Sequence, residues 1–219
     1  MAKRKTTKKY YFSVEGETEQ WYLKWLQDII NSTEQSLYRV SIDCPVKKDP
    51  LKHAKSLNVT QKTEVYHFFD YESDEQVHIN AFTNVMDKMK EAGKIGKQIT
   101  YRSGYSNFTF DLWIILHMAD CNAPYIHRKQ YLIPINRIFG TKFESMKEYK
   151  EKDNFMRCLN KMNLSNVIAA IGRAKEIMQR NQNNGYTIHK YKGYHYYKEN
   201  PSLESWKAIE KILKDCELI

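Results

Sequence analysis

Tyr10-Tyr11-Phe12-Ser13-Val14-Glu15-Gly16-Glu17-Thr18-Glu19 decides the fold. An apolar run stops at a carboxylate, turns at a glycine and feeds a segment with helical spacing. Tyr10–Val14 therefore predicts a strand. Thr18–Ile30 predicts a helix with a broad apolar side of Trp21, Leu23, Trp25, Leu26, Ile29 and Ile30. The unit recurs. Tyr38–Cys44 alternates as a second strand, and Asp49-Pro50 opens a short helix, with proline suited to a first turn. Val65–Phe69 predicts a third strand that ends at Asp70, followed by a helix over Ile79–Ala92 stopped by Gly93. Gln98–Tyr101 reads as a fourth strand, Arg102–Thr109 as a polar loop and Phe110–Met118 as a buried helix. Strands alternating with helices predict an α/β fold, a central parallel sheet flanked by helices. Beyond residue 119 the pattern is mainly helical. Leu164–Met178 carries a strong apolar stripe, Asn181–Asn200 reads as a polar aromatic loop, and Asn200-Pro201-Ser202 as a cap leading into a last helix.

The chain has 219 residues, enough for one sizeable domain with an appended part. Its formal net charge of +9 favours an anionic partner, nucleic acid first. The richest apolar run, Leu112–Met118, is too short to span a membrane. The four cysteines, Cys44, Cys121, Cys158 and Cys216, form no C-x-x-C pair, which points away from a zinc ribbon or disulfide framework and toward the reducing cytoplasm. No G-x-x-x-x-G-K-S/T loop is present to hold nucleotide phosphates.

Two predicted strands end in acids: Glu15, with Glu19 one helical turn on, and Asp70, with Glu72 two residues on. If these strands are neighbours, both acid groups enter one crevice at the carboxyl edge of the sheet. Crowded carboxylates repel unless protonated or neutralised by a cation. A hard divalent ion such as Mg²⁺ or Mn²⁺ takes oxygen ligands, and such an ion can promote phosphodiester cleavage. The ordinary alternative is capping at helix starts, and Glu17 and Asp74 are read that way.

Val14-Glu15-Gly16-Glu17-Thr18-Glu19, followed by Phe68-Phe69-Asp70-Tyr71-Glu72, resembles the TOPRIM pattern, a glutamate after the first strand and an acid-x-acid after the third. Ser106-Asn107-Phe108-Thr109-Phe110-Asp111-Leu112-Trp113-Ile114-Ile115-Leu116-His117 resembles the SNPCFELWLLLH signature of RloB-like proteins, and Asn200-Pro201-Ser202 fits the same family. The resemblance implies a TOPRIM-like catalytic core over 9–118, a mainly helical part over 119–219 packed on it, and a basic flexible tail over 1–8. It further implies a metal-dependent nuclease acting on DNA or RNA, tRNA included, in antiphage defence beside an ABC-type ATPase partner. Four positions depart from the pattern: Glu72 stands for aspartate, Tyr71 where arginine is frequent, Phe108 for proline and Asp111 for glutamate.

Glu15, Asp70 and Glu72 are thus the candidate catalytic residues. Glu15 is the first choice as metal ligand or general base, and Glu19 and Asp111 are further candidate ligands. Ser106, Asn107 and Arg102 are candidates to position or neutralise phosphate; as turn formers and a surface arginine they need no such role. Tyr186–Lys198 interleaves tyrosines with cations, so Tyr191, Lys192 and Lys198 are candidate nucleic-acid contacts, with a packed tyrosine-rich hairpin as the alternative. The basic Lys3–Lys9 run could add non-specific phosphate attraction. His117, inside an apolar helix, reads as a satisfied core histidine. A non-catalytic nucleic-acid-binding or partner-sensing module with a degenerate acidic site is the competing reading.

Overall fold

Side chains alternate across a strand, so each strand supplies two layers. In the computed structural model, which describes residues 5–219, β1 (Thr7–Val14) sends Phe12 and Val14 to one face, where they pack with Tyr22, Leu23 and Leu26 of α1 (Glu17–Ser32). β2 (Arg39–Asp43) adds Val40 and Ile42 to this first core. β3 (Thr63–Tyr71) splits its residues: Phe68 joins the first core, while Val65, Phe69 and Tyr71 build a second core on the opposite face. That second core is completed by α2 (Pro50–Ser56), α3 (Gln76–Ala92) and the edge strand β4 (Ile99–Asn107).

The three strand pairs of this sheet are parallel and the order is β2-β1-β3-β4. The α/β architecture follows, with a four-stranded parallel sheet flanked by helices. The chain leaves β1 through α1 on one face and reaches β3 through α2 on the other. The boundary between β1 and β3 is therefore a topological switch point, where a crevice opens at the carboxyl edge.

The C-terminal part packs on the α1 face. α4 (Asp111–Leu116), a 3₁₀ turn (Arg128–Tyr131), α5 (Leu132–Phe139), α6 (Met146–Tyr149), α7 (Lys152–Leu159), α8 (Leu164–Asn183) and α9 (Ser205–Asp215) contribute Trp113, Tyr131, Phe139, Tyr149, Phe155, Ile171 and Ile209 to the first core. One core thus joins the two parts. Among the described residues, no helix is long and apolar enough to cross a membrane.

Four expectations need correction. The fourth strand runs to Asn107, through the stretch read as a polar loop. It hides from a hydropathy reading because Gly104 pairs with Phe68, and a Cβ at Gly104 would lie 2.4 Å from the Phe68 ring. Gly104→Ala is accordingly expected to lower stability by about 1–3 kcal/mol through overpacking, read as a lower melting temperature. The stretch over 181–200 is no plain loop: α8 continues to Asn183, and β5 (His189–Tyr191) and β6 (Tyr194–Tyr196) form an antiparallel hairpin turning at Lys192-Gly193. Both turn residues have positive φ (51° and 93°), the combination a tight hairpin twist requires. Asn200-Pro201 is a cis peptide, and instead of capping a helix this segment runs along the outer edge of β4. Asn107 N donates to Ser202 O (2.9 Å) and Glu204 N to Tyr105 O (2.8 Å), which covers an edge otherwise open to pairing. Finally, β1 opens at Thr7 and Lys8 pairs with Asp215 at 3.0 Å, so these residues of the expected tail belong to the sheet; residues 1–4 lie outside the described residues.

Candidate functional site

Glu15 follows the last residue of β1, and Asp70 is the penultimate residue of the neighbouring β3. The backbone N–H of Asp70 donates to Glu15 Oε2 at 3.4 Å. Asp70 shares the facing of Phe68, toward α1. There it meets Glu19, buried in the first turn of α1, whose carboxylate accepts from Thr18 Oγ1 at 3.0 Å. Gly16 makes room for that carboxylate: a Cβ at residue 16 would lie 2.9 Å from Glu19 Oε2. Asp111 opens α4 from the same side and is wholly buried; Thr109 Oγ1 donates to its Oδ2 at 2.7 Å.

Glu15, Asp70 and Glu19 bear the mark of this crowding. Burial pushes Glu15 up to about 7, with repulsion from Glu19 and Glu72 added and the Asp70 N–H and Lys48 opposing. Burial, then the charges of Glu19 and Glu15, hold Asp70 well above the usual carboxylate range. Glu19 is raised by burial and by Asp111, against the pull of Lys150 and Thr18. A cation enters the group: Lys150, just past the end of α6, sets Nζ 2.9 Å from Asp111 Oδ2. Burial works against its charge, but Asp111, Asp70 and Glu19 outweigh it and the ammonium is held above its ordinary value. Asp111 Oδ1 keeps no hydrogen-bond partner among the described residues.

The donor set is entirely carboxylate oxygen, the charge is in excess over Lys150, and one buried oxygen is unpaired. These residues fit a hard divalent ion in chemistry. Among the described residues no three His, Cys, Asp or Glu side chains are grouped as a ready-made metal shell, so side chains would have to close on an ion.

Glu72 stands apart from this group. Its carboxylate is turned to His78 Nε2 (3.4 Å) and Arg128 Nη1 (3.6 Å), and is felt by Glu15 only as a nearby charge. Phe108, in the place of the pattern's proline, has φ of +62°, which a proline ring cannot take; this turn carries its own backbone. Asn107 is a clamp: its Nδ2 donates to Lys198 O (2.7 Å) and Glu199 O (3.1 Å), holding the C-terminal segment. Ser106 is buried against Leu203. Arg102 lies in the N-terminal half of β4 and makes a two-nitrogen contact with Glu64 (2.9 and 2.7 Å), away from the crevice where it was expected. Tyr191 donates to Asp87 (3.0 Å) and Lys192 pairs with it (3.6 Å), so the hairpin is pinned to α3 and its Tyr196 enters the second core. Lys198 lines an open recess with Asp74, Glu75 and Phe108 beyond the end of β3. His117 is the core histidine expected: Nδ1 donates to Trp113 O (2.8 Å), leaving Nε2 to accept from Tyr22 Oη (3.1 Å), and burial lowers its pKa to about 4.

Lys150 was missed by sequence reasoning, since nothing marks one cation among 35 Lys and Arg. Only the pairing with Asp111 singles it out. Comparison with curated proteins and with solved structures gave no match. The sequence profile of the RloB-like proteins matches residues 10–212, from the middle of β1 to the heart of α9, and the chain belongs to the RloB-like family.

Proposed function

We propose that this protein is a metal-dependent nuclease of TOPRIM type that cleaves phosphodiester bonds in DNA or RNA. The observation that carries the reading is the meeting of Glu19, Asp70 and Asp111 around Lys150, with Glu15 against Asp70, at the switch point of the sheet. Glu15, Asp70 and Glu19 would hold Mg²⁺ or Mn²⁺, which when bound supplies Lewis acidity and a more acidic water. Where Glu15 stays off the ion, it is the group placed to take the proton of the attacking water. Lys150 offers its ammonium to the phosphate. Asp111 keeps that ammonium charged and in place. The family resemblance supports a role in antiphage defence, with an ABC-type ATPase as a separate partner chain and the cytoplasm as the setting. Four buried cysteines, none in a disulfide, agree with a reducing compartment.

The competing reading, a nucleic-acid-binding or sensing module, is favoured by one feature, the diversion of Glu72 to His78 and Arg128. Incubation of the purified protein with labelled tRNA and with single- and double-stranded DNA, in Mg²⁺ or Mn²⁺, separates them. Asp70→Asn is expected to reduce the cleavage rate by at least about a hundredfold, as does chelator. Binding that persists in chelator, with no cleavage under either metal, would favour the module.

A further inference from the structure

A recess of about 620 Å³ opens on the far side of the β4 edge, between α8, the β5–β6 hairpin and the start of α9. Trp206 lies on its wall, its Nε1 donating to Leu203 O (3.2 Å), which fixes the plane of the indole. Lys175 and Lys207 hold their ammonium groups over that ring, 5.4 and 5.9 Å from its centre, and Lys175 also pairs with Glu210. Glu204 lines the recess with its side chain only 12% exposed and paired to Lys207. A second recess, about 270 Å³, shares Glu204, Lys207 and His195; Arg102 on its wall is held by Glu64. A flat fixed ring, a largely buried carboxylate and a fringe of cations thus occur together, at a place none of the carboxylates around Lys150 reaches.

We propose that this recess binds a guanine base bearing a phosphate. A carboxylate only accepts hydrogen bonds, and its two oxygens suit two adjacent donors. Guanine offers such a pair on its Watson–Crick edge, N1–H beside the N2 amine; adenine and cytosine offer an amine beside an acceptor, and uracil one N–H between two carbonyls. Trp206 supplies a stacking surface for the base, as in single-strand recognition. Lys175 and Lys207, both about half exposed and resting on Glu210 and Glu204, are the cations placed to turn to a phosphate, and Glu204, largely buried, is where the base is chosen. A free guanine nucleotide and a guanine within a nucleic-acid strand share this chemistry.

Titration calorimetry with the full-length Glu15→Gln variant, whose folded state is checked by circular dichroism, tests the site independently of cleavage. The probes are GMP, AMP, CMP and UMP, and short single-stranded oligonucleotides with or without one guanine. Guanine is expected to be preferred by about tenfold or more, Glu204→Gln to remove most of that preference, and Trp206→Ala to weaken every base by about tenfold. If Glu204→Gln does not fold, Lys207→Met, an exposed position, takes its place: it should weaken binding and lessen its salt dependence. Tighter binding of the guanine oligonucleotide than of GMP assigns the site to a strand, and the reverse to a free nucleotide; both support it. Absence of saturable binding by GMP and by the guanine oligonucleotide overturns the proposal, as does a guanine preference untouched in Glu204→Gln. Neither outcome bears on whether wild-type protein cleaves nucleic acid, so the two readings fail separately.

Discussion

Lys150→Met is expected to cost about 2–3 kcal/mol of folding stability, somewhat less than the 3–5 kcal/mol typical of breaking a fully buried pair, because the lysine side chain is 37% exposed. The loss comes from what is left behind. Asp111 is wholly buried, its Oδ1 is already unpartnered, and removal of the ammonium leaves Oδ2 with Thr109 alone. Asp70 and Glu19 lose the same cation. Chemical denaturation in chelator reads the effect. Asp111→Asn in the Lys150→Met background should restore much of the loss, since the wholly buried carboxylate is then neutral, although Asp70 and Glu19 still lack the cation; strict additivity of the two variants would show that the pair does not act as a unit. On the proposed reading, Lys150→Met also abolishes cleavage, and Lys150→Arg separates charge from placement because a planar fork replaces a point charge.

Glu15→Gln is expected to stop cleavage while making the metal-free protein more stable at alkaline pH. The folded-state pKa of Glu15 is about 7, above its ordinary value of 4.5. A group raised in this way contributes its full stability below pH 4.5 and loses that contribution as pH rises through 7. In chelator at pH 8, glutamine avoids the buried charge and should gain about 1–3 kcal/mol; at pH 4, where the carboxyl is protonated both folded and unfolded, the two proteins should melt alike. Thermal melts across this range decide it. A variant equally stable at pH 8 would show that Glu15 is better solvated than its burial suggests. A stability gain with loss of activity is the signature of a site held against its own folding preference.

The acids on the switch point were legible in the sequence because strand ends are. An apolar run that stops at Glu15 before a glycine, and another that stops at Asp70, fix the position of each carboxylate with no knowledge of the packing. What stayed hidden depends on contacts remote in the chain. Lys150 becomes a site residue only because the residue that follows α6 meets the first residue of α4. β4 looked like a loop because its polar residues are covered by residues 200–205 and its glycine serves the Phe68 ring. Arg102 looked available for phosphate because its partner Glu64 sits on the next strand. Glu72 followed the expected spacing, yet His78 and Arg128 compete for it, and such competition leaves no periodicity to read. The tyrosines over 186–198 are the opposite case: their composition suits stacking on bases, but Tyr196 is used in the core, edge-on to Phe82 and tilted against Tyr71.

The closing of the β4 edge by residues 200–205 gives synthesis a direction. A chain emerging from the ribosome has all four strands long before it has the segment whose Ser202 and Glu204 satisfy the backbone of Asn107 and Tyr105. Until then the sheet keeps a bare flank, and Asn107 has no carbonyls to hold. A nascent chain is therefore expected to be most exposed to wrongful pairing with its polysome neighbours in the interval between the completion of β4 and the arrival of α9.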